Sequence, residues 1–177
     1  MKLRKINIVT ALALGTVITF TGCSKDDGPI PENINIEDVP AMTMNLEPQK
    51  KDNIDTIRVA TPAVFSGKFK VGMVFPGAAP PTKVDIVVRK NASASNVKLF
   101  KADIATFPTS FTITAAEIAT LFGAPIALND NYDFAPDIYT GTKKYEAFPA
   151  VGAGTGSGVI GMNIIGFFEF VRITVKN

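Results

Sequence analysis

Histidine and tryptophan are missing from the sequence, and cysteine occurs once, at Cys23. Without histidine there is no imidazole to serve as general base or metal ligand. One cysteine permits no internal disulfide and no zinc–thiolate cluster. A serine nucleophile would have no histidine to activate it. No pair of acids stands out for glycoside hydrolysis either, since Glu117 reads as a helix cap and Glu146 and Glu169 lie apart on strand-like segments. These absences argue against an enzyme: no catalytic residue, no cofactor and no metal ligand is assigned. Charge is also sparse, with 18 Lys and Arg against 16 Asp and Glu over 177 residues. Nucleic-acid binding needs cations gathered on one face, so no nucleic-acid partner is expected. What remains to hold a fold is a hydrophobic core, which 13 Phe with many Val and Ile can supply.

The amino terminus carries the most specific signal. Lys2, Arg4 and Lys5 precede an apolar run from Ile6 to Phe20, and Thr21-Gly22 are small. This is the layout of a signal peptide over residues 1–22, and the run is too short and too rich in Thr and Gly for a stable transmembrane helix. Its removal takes three bases and no acid, turning a net charge of +2 into −1. Phe20-Thr21-Gly22-Cys23 resembles the lipobox of bacterial lipoproteins, with Phe in the place usually held by Leu. The resemblance implies lipidation of Cys23 and a membrane partner engaged through that lipid; the alternative is a plain signal peptide cut near Gly22. Ser24-Lys25-Asp26-Asp27 is similar to the short acidic tract of surface-exposed lipoproteins of Bacteroidota. That likeness implies the outer membrane, facing outward, with an ordinary solvated tether as the alternative.

Residues 23–53 read as a flexible tether, interrupted by Pro29, Pro31, Pro40 and Pro48. Within it Met42, Met44 and Leu46 alternate with polar residues and mark a short pairing segment. From Ile54 the apolar residues recur at period two, the mark of strands with one buried face. Phe65, Gly67, Phe69, Val71, Met73 and Phe75 form one such face, and Val84, Ile86 and Val88 another. Val97 and Leu99, then Phe111 and Ile113, continue the pattern. Tyr132, Phe134 and Ile138 predict a strand region broken at Pro136, with Lys143 to Phe148 as hairpin partner. Val171, Ile173 and Val175 predict a last strand. Thr114-Ala115-Ala116-Glu117 is a capping-box sequence, and Ile118, Leu121, Phe122 and Gly123 follow at helical spacing. The expected fold over 54–177 is an all-β antiparallel sandwich, immunoglobulin- or fibronectin-III-like, with one short helix over 115–122 where the chain crosses between sheets.

A second resemblance rests on Val84 to Arg89, Asn96-Val97-Lys98, Phe107 to Glu117, Leu128 to Phe134 and Tyr145 to Pro149. These runs resemble small immunoglobulin-like lipoproteins of Bacteroidota, and the SusE amino-terminal module is similar. The likeness covers roughly residues 54–150 and carries no catalytic residue. It implies a surface role beside SusC/SusD-type glycan-uptake systems, with a glycan or such a complex as partner.

Candidate sites are few. Tyr139 and Tyr145 are the rings that could stack on a sugar, with packing at the edge of the core as the alternative. Asp55-Thr56-Ile57 resembles the Asp-Ser/Thr-aliphatic sites at which Bacteroidota attach O-glycans, which would place a glycan on Thr56. Asp130, Asp133 and Asp137 are close in sequence, but their spacing is not that of a calcium loop and turn solvation explains them. Gly156 to Gly161 matches Gly-x-Gly-x-x-Gly but lies in a Gly-rich stretch over 150–161 and lacks the following helix of a dinucleotide site. Two functions follow as expectations. One is a lipid-anchored, non-enzymatic binding or accessory module for glycan capture. The other is an assembly or adhesion subunit that pairs through the carboxy-terminal strand.

Overall fold

Period-two alternation is realised as two packed sheets. The computed structural model describes residues 39–149 and 167–177. The signal segment, Cys23, the acidic tract and the Gly-rich stretch 150–161 lie outside the described residues. The described strands are β1 (Met42–Leu46), β2 (Ile54–Arg58), β3 (Ser66–Met73), β4 (Lys83–Lys90), β5 (Val97–Ile104), β6 (Thr109–Thr114), β7 (Asn131–Thr140), β8 (Lys143–Tyr145) and β9 (Val171–Lys176). A helix, α1 (Ala115–Phe122), joins β6 to β7.

The smaller sheet has the order β1-β3-β6 and the larger β2-β9-β7-β4-β5, with β8 paired to β7. The fold is an all-β sandwich of two sheets with one short helix, and the first two strands are divided between the sheets, β1 in the smaller and β2 in the larger. Pairing is antiparallel except for one contact: β2 runs parallel to β9, Ile54 opposite Arg172 through Arg58 opposite Lys176. The carboxy-terminal strand therefore lies between β2 and β7 with both edges occupied. Pairing with a neighbouring molecule would have to use a different strand.

The described sandwich begins earlier than the tether reading places it, with β1 at Met42. β1 lies inside the expected tether because Met44 and Leu46 are buried and pair with Val71 and Phe69. Asn53, also inside it, is 2% exposed and fixes the crossing between sheets. Its amide donates to Met44 O (2.8 Å) and Phe170 O (2.6 Å), and its Oδ1 accepts from Leu46 N (2.9 Å).

The core lies between the sheets. Phe69 is fully buried, with ring centroids 5.1 Å from Phe134, 5.9 Å from Phe111 and 6.1 Å from Phe100. Val84, Ile86, Val88, Ile113, Ile57, Val171 and Ile173 complete it. At Gly67 an added Cβ would meet Phe65 Cζ at 2.8 Å, so the missing side chain makes room for that ring. The predicted helix forms as its sequence requires: Glu117 N donates to Thr114 Oγ1 (3.2 Å), Thr114 N to Glu117 Oε2 (2.8 Å), and Gly123 closes it at φ +64°.

Three local readings are corrected. Phe75 does not continue the buried face of β3: that strand ends at Met73, Val74 turns inward and Phe75 is 63% exposed. Leu99 lies opposite Val87 on the outer face, while Phe100, beyond a shift in register against β4, packs on the core. Pro136 does not break β7. Asn91 N donates to Asn131 O, which makes the odd-numbered pairs of β4 and β7 the hydrogen-bonded ones. Pro136, opposite Ile86, falls at a non-hydrogen-bonded position, so its missing N–H faces the other edge. There β9 pairs only as far as Phe134 and β8 starts at Ile138, so no ladder bond is lost.

Candidate functional site

The outer face of the larger sheet carries most of the buried charge of the described residues. Register sets Lys83, Asp85, Val87 and Arg89 of β4 opposite Tyr139, Asp137, Ala135 and Asp133 of β7. Val87 and Ala135 are 6% and 3% exposed although they point away from the main core. The chain after β8 crosses over them and lays Phe148 on top, forming a second small apolar cluster. Ala147 N donates to Asp137 Oδ1 (2.8 Å), which pins the crossing segment to the sheet.

Under that cover lies an ion-paired triad. Asp133 accepts from Arg89 Nη2 (3.0 Å) and from Arg172 Nε (2.7 Å) and Nη2 (3.2 Å). Phe148 lies 4.1 Å from the Arg89 guanidinium carbon, and Phe170 lies 5.3 Å from that of Arg172. The contact with Asp133 raises the Arg172 pKa against the effect of its partial burial. The Arg89–Asp133 pair, 7% and 1% exposed, is therefore closed off, while Arg172 reaches Asp133 from the partly exposed side.

Beside it the face opens into a cavity of about 390 Å3, lined by Asp85, Leu99, Asp137, Tyr139, Lys144 and Glu146 among others. Burial pushes the Asp85 carboxyl up, but the Asp103 amide, the Tyr139 hydroxyl and Lys83 outweigh it and hold it below the usual carboxylate range. Tyr139 is raised by burial and by its bond to Asp85. Lys144 is raised by its bond to Asp137, at 2.9 Å, and by Glu146, at 3.2 Å. The cavity thus combines ionised acceptors, an ammonium donor, a phenol and the exposed side chain of Leu99.

The two predicted tyrosines fall in different places. Tyr139 lines this cavity, with Lys83 Nζ 4.4 Å from its ring centroid, so one face of the ring is occupied. Tyr145 lines a second, apolar cavity of about 340 Å3 with Pro136, Ile138 and Phe168. Glu146 and Phe148 border both cavities. Thr56 lies on β2, at the edge of the larger sheet, with its Oγ1 3.4 Å from Thr174 Oγ1. That is within a strand of the sandwich.

The three acids Asp130, Asp133 and Asp137 do not converge. Asp130 binds Lys90 and Asn91, Asp133 binds its two arginines, and Asp137 binds Lys144. Among the described residues no group of three or more acidic, His or Cys side chains is arranged to hold a metal ion. The sequence reading missed Asp85, Asp137 and Lys144 as neighbours. A usable signal was present in Ile86-Val87-Val88, where three apolar residues in a row mean that the strand is covered on both faces. Comparisons with protein-family models, curated proteins and solved structures return no match to this chain.

Proposed function

We propose that the chain is a non-enzymatic binding module, held by a lipid on Cys23 at the outer face of the outer membrane, and that its ligand is a carbohydrate chain. The observation that carries the binding half is the open cavity on the larger sheet. A sugar presents hydroxyl donors around its edge and C–H groups on its faces. Asp137 accepts one bond from Ala147 N and one from Lys144, and an ionised carboxylate has capacity for about four. Leu99, 53% exposed at the rim, offers the apolar contact. Tyr139 contributes by the ring face that Lys83 leaves open. A SusC/SusD-type complex is the proposed larger partner, and Thr56 the proposed O-glycan site.

The test is calorimetry of the mature chain against a broad panel of polysaccharides. Tyr139→Ala and Leu99→Ala should each weaken binding roughly tenfold, about 1.4 kcal/mol, and Leu99→Ala, at the exposed rim, should leave the melting temperature in place. A folded protein that binds no glycan, or variants that bind as the parent does, would sink the carbohydrate reading. The anchor is tested separately: Cys23→Ala should move the protein from the membrane to the soluble fraction, and continued retention would argue against the lipid.

A further inference from the structure

We propose that one end of the sandwich, centred on Phe75 and the apolar groove beside it, docks on the lipid surface. The inference rests on reading Cys23 as a lipid anchor, and it specifies which end of the domain faces the bilayer.

β3 ends at Met73, opposite Met42, the first residue of β1. Val74 N donates to Ala41 O at 2.9 Å, so the turn after β3 lies against the chain that enters β1. Val74 to Pro81 contains no polar side chain, and Phe75 to Pro80 are all exposed. Phe75, at 63%, is the one aromatic among the large apolar side chains exposed in the described residues. Pro76, Pro80 and Pro81 restrict this turn already, so little further order is lost when it inserts. An exposed apolar tip of this kind gains roughly 25 cal/mol for each Å2 it withdraws from water.

The groove adjoins this turn. Val39, Pro40, Ala41, Phe167 and Phe168 line it, over a cavity of about 340 Å3. Two carboxylates, Glu146 and Glu169, line it as well, and Lys144 reaches the first at 3.2 Å. The tether supplies the reason for lipid as the occupant. Val39 borders the groove, and 15 residues separate it from Cys23. A chain of that length spans at most about 50 Å. A lipid on Cys23 therefore keeps this end close to the bilayer at high effective concentration, and a weak apolar contact is enough to orient the domain. The opposite end, where Val64 is 78% exposed, lies about 25 Å away along β3.

The absence of tryptophan makes the test direct. Phe75→Trp and Val64→Trp each place a single emitter at one end of the full, lipidated chain, reconstituted into phosphatidylcholine vesicles with and without bromine on the acyl chains. Both positions are exposed, so neither change should disturb the fold. The expected result is a blue shift and loss of emission from the Phe75→Trp variant in brominated vesicles, with Val64→Trp emission unchanged. If the chain floats with the vesicles but neither emitter is quenched, the docking face is wrong and the anchor stands, leaving the groove to a protein or to the chain itself. Equal quenching of both emitters would mean unoriented adsorption and also overturn the proposal. If the chain fails to float, the anchor reading fails and docking with it.

Discussion

Tyr132 Oη donates a 3.0 Å hydrogen bond to Asp130 Oδ2 at the start of β7. The same carboxylate accepts from Ala127 N (2.9 Å), Asn91 Nδ2 (2.9 Å) and Lys90 Nζ (2.8 Å). The Tyr132 ring, 1% exposed, packs 5.3 Å from Phe122 of the helix. This corner therefore ties α1, the β4–β5 turn and β7 to one charge. Burial pushes the Asp130 carboxyl up, but Lys90, Asn91, the Ala127 amide and Tyr132 outweigh it and bring its pKa to about 2. Burial and the neighbouring charge push the Tyr132 phenol in the opposite direction, upward.

A pH prediction follows from Asp130. Its folded pKa of about 2 lies below the ordinary value of 3.8, so in that window the unfolded chain binds the proton more readily. The stability it contributes is complete above about 3.8 and is lost as pH falls toward 2. Urea unfolding of the parent and of Asp130→Asn should therefore show a gap that is constant near neutrality and closes across that window. A gap that stays constant down to the lower limit would rule out Asp130 as the source.

The Arg89–Asp133 pair makes a different prediction. The two side chains are 7% and 1% exposed, and Arg89 Nε has no hydrogen-bond partner. Asp133→Ala would leave the Arg89 charge buried beneath Phe148, at a cost of about 3–5 kcal/mol. Arg172, 35% exposed, can turn to water and should add little to that loss. Replacing both members, Arg89→Met with Asp133→Leu, removes the stranded charge and should recover most of the stability. A double variant as unstable as Asp133→Ala would mean that the carboxylate acts by something other than neutralising Arg89. The measurement is the urea midpoint of each variant at constant m-value.

How much of this was readable in advance depends on how local the cause is. The capping box at Thr114 and Glu117 is complete within four residues, and it forms where the sequence places it. Strand faces such as Val84, Ile86 and Val88 were legible because alternation records burial directly. Pro136 misled because its tolerance depends on pairing register, which residues on β4 and β9 decide. Leu99 and Phe100 misled for a related reason, since a register shift against β4 exchanges the inward position. In the candidate site Tyr139 was legible as a ring near a turn. Its partners Asp85 and Asp137 were not, because each lies on a strand whose outer face is covered only by a segment arriving from elsewhere in the chain.

Asn53 gives the sharpest test of where the ordered domain begins. A flexible tether running to residue 53 would make any substitution there nearly neutral. Instead the residue has φ +54°, a conformation that Asn tolerates better than most side chains, and its amide serves three backbone groups on two segments. Asn53→Ala removes the acceptor of the buried Leu46 N and the donor to Met44 O and Phe170 O, and adds backbone strain. The expected loss is about 3 kcal/mol. Asn53→Gly relieves the backbone while still removing the amide, so it separates the two contributions. It should remain less stable than the parent by about 2 kcal/mol. Asn53→Asp retains an acceptor for Leu46 N but sets a carboxylate against two carbonyls, so it should rescue little. If the glycine variant unfolds at the same urea concentration as the parent, the amide holds nothing together, and the join between the two sheets must come from the packing of Met44 and Leu46 alone.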